Sequence, residues 1–248
     1  MKSARLLRPL LAAAVFVSGV TSTALVADRG APARAADTVS RSALSDDFDG
    51  ARGGAPDGAK WAGDPGRAQL TGDGQLALGT VLRTQKSFGQ AYGRAEARIR
   101  MNRVGGAWRA LGVLNQDGGL PAGKVEVLAD DRVDSDDFHT YVIDWTPTSL
   151  VWSVDGRQVL RFTPAGSGRP LLVSLNTAAG GFNPATMLVD YVRVSVRVTV
   201  KATTWKARTL YRPGKYVRFE GDIYRVRELH TSLPGWQPTL VPALFRKV

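Results

Sequence analysis

The sequence predicts an all-β protein, a two-sheet antiparallel sandwich followed by a small β-rich module. Three observations carry that expectation. Apolar and polar residues alternate with period two between turn signals, and no helical periodicity is sustained beyond the first residues. Charge composition also breaks near residue 200, which divides the chain into 36–200 and 201–248. A length of 248 residues suffices for one large or two modest cores.

Residues 1–35 read as a secretory signal peptide. Lys2, Arg5 and Arg8 precede the apolar run Leu10 to Val20, and Ala33-Arg34-Ala35 supplies a small-x-small end. Ser18, Thr21 and Ser22 break the run, so it makes a poor membrane span, with an uncleaved anchor as the alternative. The mature chain is expected to begin near Ala36. It would be secreted, extracellular or associated with the cell wall, with no membrane attachment after cleavage.

In Arg94-Ala95-Glu96-Ala97-Arg98-Ile99-Arg100-Met101 every second residue is charged and the others are apolar. Successive strand side chains point to opposite faces, so one face is wet and the other buried. Trp152 to Leu160 reads as a hairpin, because Asp155-Gly156 supplies a positive-φ turn. From Val192 to Val200 five valines alternate with Arg193, Ser195, Arg197 and Thr199. Further breaks fall at Gly53-Gly54, Asp73-Gly74, Asp117-Gly118-Gly119 and Gly180-Gly181.

Composition narrows the chemistry. Zero cysteines exclude a disulfide framework, a thiolate metal site and a cysteine nucleophile. Only His139 and His230 are available to a histidine metal centre, and His139 reads as structural. The net charge of +11 is local: residues 36–200 hold 18 basic and 18 acidic side chains, whereas 201–248 hold ten and three. For an exported chain this points to an anionic wall polymer or simple solvation, and no nucleic-acid partner is expected.

Several segments, in their order and spacing, make residues 44–197 resemble glycoside hydrolase family 16, the secreted β-glucanase and laminarinase group. They are Asp46-Asp47-Phe48-Asp49-Gly50, Tyr92 to Ile99, His139 to Pro147, Val154-Asp155-Gly156, Leu175 to Gly181 and Val189 to Val194. The resemblance implies a concanavalin-like jelly roll with a sugar-binding concave face. It also implies retaining hydrolysis by two carboxyl groups about 5–5.5 Å apart on one strand, as Glu-x-Asp-x-x-Glu or Glu-x-Asp-x-Glu.

The matching stretch here is Gly123 to Ala129. It places Lys124 at the nucleophile position, Glu126 at the central one and Ala129 at the acid/base position. An ammonium forms no glycosyl ester and a methyl group has no proton to give, so hydrolysis is expected to be lost. A two-residue shift keeps strand parity and defines the alternative, an active retaining β-glycanase using Glu126 with Asp130 or Asp131. The cleft segment keeps Trp108 but has Gly112 at the second tryptophan position, and Leu120-Pro121 replaces Trp-Pro.

By the same resemblance Arg83, Trp108 and Asn176 match sugar-contacting positions. Their plainer readings are a surface charge, a half-buried aromatic and a strand-end hydrogen bond. Asp47, Gly74 and Asp190 fall where some members hold a structural calcium through backbone carbonyls and one carboxylate. No cofactor is otherwise required. The acidic run from Asp130 to Asp137 lacks the glycine and terminal glutamate of an EF-hand and reads as a solvated turn.

Residues 203–248 resemble the chitin-binding modules of carbohydrate-binding families 5 and 12. The match runs through Trp205, Tyr211-x-x-Gly214, Val217 to Tyr224, His230-Thr231-Ser232 and Gly235-Trp236-x-Pro238. It departs at Lys215 and Phe245. A module this small must bury some of its aromatics. Trp236, between Pro234 and Pro238, is the expected exposed stacking platform, with Tyr211 second and Trp205 in the core. The whole reads as a secreted polysaccharide-binding protein for chitin, β-glucan or another cell-wall polymer. A wall-anchoring protein that uses the basic tail is a further alternative.

Overall fold

The computed structural model describes residues 36–101, 110–130, 132–133, 137–166, 168–177 and 187–248. Residues 1–35, which the sequence reads as a signal peptide, Trp108, Asp131 and the Gly180-Gly181 break lie outside the described residues. Residues 36–248 form one compact unit, and the predicted antiparallel sandwich with an added β module is what is observed.

The sandwich strands are β1 (Thr38–Asp46), β2 (Trp61–Gly63), β3 (Ala68–Leu70), β4 (Leu76–Leu78), β5 (Val81–Thr84), β6 (Gly93–Arg100) and β7 (Leu111–Asn115). They continue with β8 (Gly123–Val127), β9 (His139–Trp145), β10 (Leu150–Val154), β11 (Arg157–Pro164), β12 (Leu171–Asn176) and β13 (Met187–Thr199). The larger sheet runs β3-β4-β13-β6-β9-β10-β11-β8, with β1 also on β13; the smaller runs β2-β5-β12-β7.

The alternation read in the sequence sets the register. Ala95, Ala97 and Ile99 of β6 are buried with Val192, Val194 and Val196 of β13, and Leu82, Leu111, Val173 and Leu175 of the smaller sheet close the same core. On the wet face of β6, Arg94 pairs with Asp144 at 3.0 Å and Arg98 with Asp190 at 2.7 Å. Exposed pairs contribute at most about 1 kcal/mol each, whereas a fully buried Ile or Leu contributes roughly 1.5–3 kcal/mol. Burial therefore decides, because a one-residue slip would drive arginines into the core. Gly93 begins β6 for a steric reason: the ring of Trp145 fills the space where a Cβ would stand.

Asp155 (φ 48°) and Gly156 (φ 80°) both take positive φ, as a two-residue type I′ hairpin needs. Asp155 also ties the turn to β9. Its Oδ1 accepts the Thr140 N–H at 2.9 Å, and its Oδ2 lies 2.7 Å from His139 Nδ1. Burial pushes the Asp155 carboxyl up, but the Thr140 N–H, the His139 hydrogen bond and the His139 charge together outweigh it. They hold its pKa below the ordinary value. A carboxyl whose pKa falls on folding stabilises the fold above its unfolded pKa, about 3.9, and that contribution is lost as pH drops through the lower folded value. Amide protection at Thr140 is thus expected to hold at pH 5 and to fall below about pH 4. The dependence should vanish in Asp155→Asn, and wild-type protection that stays level across this range would contradict the assignment.

The module is built from β14 (Ala202–Thr204), β15 (Leu210–Tyr211), β16 (Tyr216–Phe219), β17 (Asp222–Val226), β18 (His230–Thr231) and β19 (Phe245–Lys247). Its sheet runs β14-β16-β17-β19, with β14 parallel to β16, and β15 pairs with β18 as a separate ribbon. Tyr211, Val217, Tyr224, Val226 and Phe245 form its own core, against which Trp205 packs half-buried. Arg218 of β16 is paired with Asp37 just ahead of β1, with both side chains largely covered.

Candidate functional site

Two surfaces concentrate the residues singled out by sequence: a groove on the sandwich and an aromatic projection on the module. Cross-strand register puts Arg83 opposite Ser174, Ser174 opposite Gly112, and Val81 opposite Asn176. These residues share the face of the smaller sheet that turns away from the core. A cavity of 540 Å³ opens there, lined by Val81, Ser174 and Asn176 on one side and by Val125, Val127 and Phe162 on the other. Asn176 thus lines the groove, whereas half-buried Arg83 shares its face without joining the lining. At Gly112, where the resemblance expects a second tryptophan, the floor has no side chain.

β8 decides what this groove can do. It pairs with β11 in the order Val125–Phe162, Glu126–Arg161, Val127–Leu160. Since both valines line the groove, Glu126 projects from the opposite face. There it meets Arg161 at 3.3 Å, with its side chain 60% exposed. Asp130 lies past the end of the strand, and its carboxylate accepts the Arg132 N–H at 3.1 Å. Among the described lining residues there is no carboxylate. The pairing of Glu126 with Asp130 across a saccharide is therefore corrected. A two-residue shift preserves parity, and the groove parity of β8 belongs to its valines; Asp131 lies outside the described residues.

The calcium set is only partly assembled. Gly74 stands beside the Asp47 carbonyl, at 3.8 Å from its Cβ position, and beside Asp49 Oδ1, at 3.5 Å. The carboxylate expected to complete the set, Asp190, is instead held by Arg98 at 2.7 Å, and the Asp47 carboxylate is paired with Arg193. The guanidinium of Arg98 on the one carboxylate of the set competes there with a dication, whereas the Asp47 carbonyl and Gly74 stand together as the resemblance implies.

On the module, Trp236 is 37% exposed at a turn closed by its N–H to the Leu233 carbonyl at 3.0 Å. Its ring leans on His230 at 6.4 Å between centroids, and His230 stands edge-on to the core residue Phe245 at 5.0 Å. Nδ1 of His230 lies 2.8 Å from the Glu228 carbonyl and Nε2 lies 3.0 Å from Ser232 Oγ, which fixes the imidazole. The indole thus has a rigid back and an open front, the geometry for stacking on a flat partner. The expectation for Tyr211 is corrected. It is 5% exposed, T-shaped on Phe245 at 6.0 Å, and its hydroxyl exchanges hydrogen bonds with the Lys206 main chain. No face of its ring remains for a ligand.

Sequence reasoning missed two things here. His230 braces the platform, and Arg225 stands opposite Arg246 in the β17–β19 register, placing like charges face to face on a shallow hollow that Arg227 also lines. Alternation within strands was the available signal for the arginines, but the pairing partner of each strand is not local information.

Fold and site together define a class: an antiparallel β-sandwich whose groove carries no carboxylate among the described residues, joined to a small β module with an exposed tryptophan. Comparison with known proteins agrees. Residues 123–181 match the model for glycosyl hydrolases family 16, and residues 204–246 match that for carbohydrate-binding module family 5/12. Both resemblances read from the sequence are thereby shown. Chitinase A1 of Niallia circulans is 32% identical over 100 residues, 40% of this chain and 14% of that protein. Endo-1,3-1,4-beta-glycanase ExsH of Rhizobium meliloti is 28% identical over 149 residues, 46% of this chain and 32% of that protein. The crystal structure of a glycosyl hydrolase family 16 protein from Mycobacterium smegmatis is 19% identical with a TM-score of 0.44, covering 62% of this chain and 100% of that one. The chain thus spans a third or less of the length of these curated relatives.

Proposed function

We propose that this chain is an exported polysaccharide-binding protein. Its module at 201–248 would hold chitin or a β-glucan by stacking on Trp236, and its sandwich at 36–200 keeps the scaffold of a glycanase without the chemistry. Support for binding without cleavage comes from β8, whose groove rungs are Val125 and Val127 and whose single carboxylate is paired with Arg161. Retaining hydrolysis needs a nucleophile and an acid/base on either side of the scissile bond, and valines supply neither. Export rests on the basic, apolar and small-x-small order of residues 1–35. The reading asks for no cofactor, no nucleic acid and no membrane attachment after cleavage of the leader.

Binding by stacking and binding by charge separate with salt. Depletion of the protein by insoluble chitin, curdlan, cellulose and peptidoglycan, at low and at roughly 0.5 M salt, tests the proposal. Stacking predicts retention on chitin or on a glucan that changes less than about twofold with salt, since apolar contact is not screened. Retention that collapses at high salt would assign the binding to the arginines around Arg225 and Arg246 and to an anionic polymer instead.

A further inference from the structure

β8 ends the larger sheet. It pairs with β11 on one side, and among the described residues no backbone hydrogen bond reaches its other edge. All five of its residues are exposed, with Val125 at 64% and Val127 at 75%. The Leu128 N–H bonds the Val159 carbonyl at 2.9 Å and the Ala165 N–H bonds the Ala122 carbonyl at 2.9 Å. Even-numbered residues therefore direct their main-chain groups at β11. Gly123, Val125 and Val127 direct theirs outward.

Natural sheets usually blunt such an edge with proline, a bulge or charge. β8 contains no proline and its register with β11 is unshifted. Its two charges, Lys124 and Glu126, flank Val125 symmetrically.

We propose that this edge pairs with the β8 edge of a second copy of the chain, antiparallel about a two-fold axis through Val125. In that register Val125 faces Val125 of the other copy and Gly123 faces Val127. Every outward N–H and C=O of these residues then finds a partner. Lys124 of each copy falls opposite Glu126 of the other, in the non-hydrogen-bonded position where side chains approach most closely. The patch is self-complementary, as an isologous contact requires. Centring the axis on Lys124 or Glu126 instead would set like charges face to face, so the charge pattern selects one register. On the groove side, Val127 of one copy covers Gly123 of the other, where the ring of Phe162 fills the space of the missing side chain. The dimer itself does not depend on the proposed carbohydrate function, although two modules on one particle would raise avidity for a polymer.

Sedimentation velocity of the whole protein over a concentration series tests the proposal. An interface this small predicts a monomer–dimer equilibrium in the range of about 10–100 µM. Lys124→Glu alone and Glu126→Lys alone each weaken self-association by at least about tenfold, because each sets like charges opposite one another. Mixed one to one, the two variants associate at least as well as wild type, since acidic then meets basic across the contact. Val125→Pro removes an outward N–H without touching the β11 ladder and abolishes association in every mixture. Unchanged melting temperatures confirm that the variants are folded. A wild-type protein that stays monomeric to about 500 µM overturns the proposal. So does a dimer indifferent to these substitutions, or failure of the mixture to associate.

Discussion

Replacing Trp236 with alanine is expected to weaken retention on insoluble chitin or β-glucan about thirtyfold, with the fold intact. An indole stacked on a pyranose ring removes roughly 80 Å² of apolar surface from water, which at about 25 cal/mol per Å² comes to about 2 kcal/mol. Part of this loss should be recovered by Trp236→Phe, which keeps a smaller aromatic face. Stability should move by no more than about 0.5 kcal/mol, as for other surface positions. Tyr211→Phe should show the reverse pattern. It removes the hydroxyl that bonds the Lys206 main chain and leaves binding unchanged, because the ring faces Phe245 and not solvent. Depletion isotherms with each variant, paired with thermal melts, check both halves. Retention by Trp236→Ala within twofold of wild type would move the binding surface elsewhere.

The largest effect on stability is expected from Trp152→Ala. Trp152 is buried in the sandwich core, and its Nε1–H donates to the Leu111 carbonyl at 2.8 Å. That bond links β10 of the larger sheet to β7 of the smaller, so the side chain fills the core and couples the two layers. Truncation leaves a cavity costing about 3–5 kcal/mol and a buried carbonyl without its donor. Against a total of about 5–15 kcal/mol this is a large share, corresponding to a fall in Tm of roughly 10 °C or more. Trp152→Phe keeps most of the volume and loses only the hydrogen bond, so about a third of the effect is expected. Urea unfolding of the three proteins gives the comparison. A loss below about 1 kcal/mol for the alanine variant would mean that the layers are held together elsewhere.

What could be read from sequence follows from where physics is local. β6 and β13 were legible because a strand with one wet face must alternate, and Ala95, Ala97 and Ile99 are buried as the pattern demands. The Asp155-Gly156 turn was legible because few residues accept positive φ. Trp236 was legible because flanking prolines keep it out of a strand. The parity of β8 was not. Lys124-Val125-Glu126-Val127 alternates cleanly, but the whole strand is exposed, so burial marks neither face. Only pairing with β11, more than thirty residues onward, turns the valines to the groove and Glu126 to Arg161. Tyr211 failed for a related reason: a strand of two residues has no period, and its hydroxyl anchor at Lys206 is a tertiary detail. The ion pair of Asp190 was not legible either, because its partner Arg98 lies 92 residues away in sequence.

The most direct test of binding without cleavage uses protein already bound to curdlan or chitin and follows soluble reducing ends over many hours. The polymer is expected to stay intact, with release no greater than from buffer and identical for wild type and Glu126→Gln, while the protein remains on the pellet. Reducing ends that accumulate with wild type and disappear with Glu126→Gln would contradict binding without cleavage.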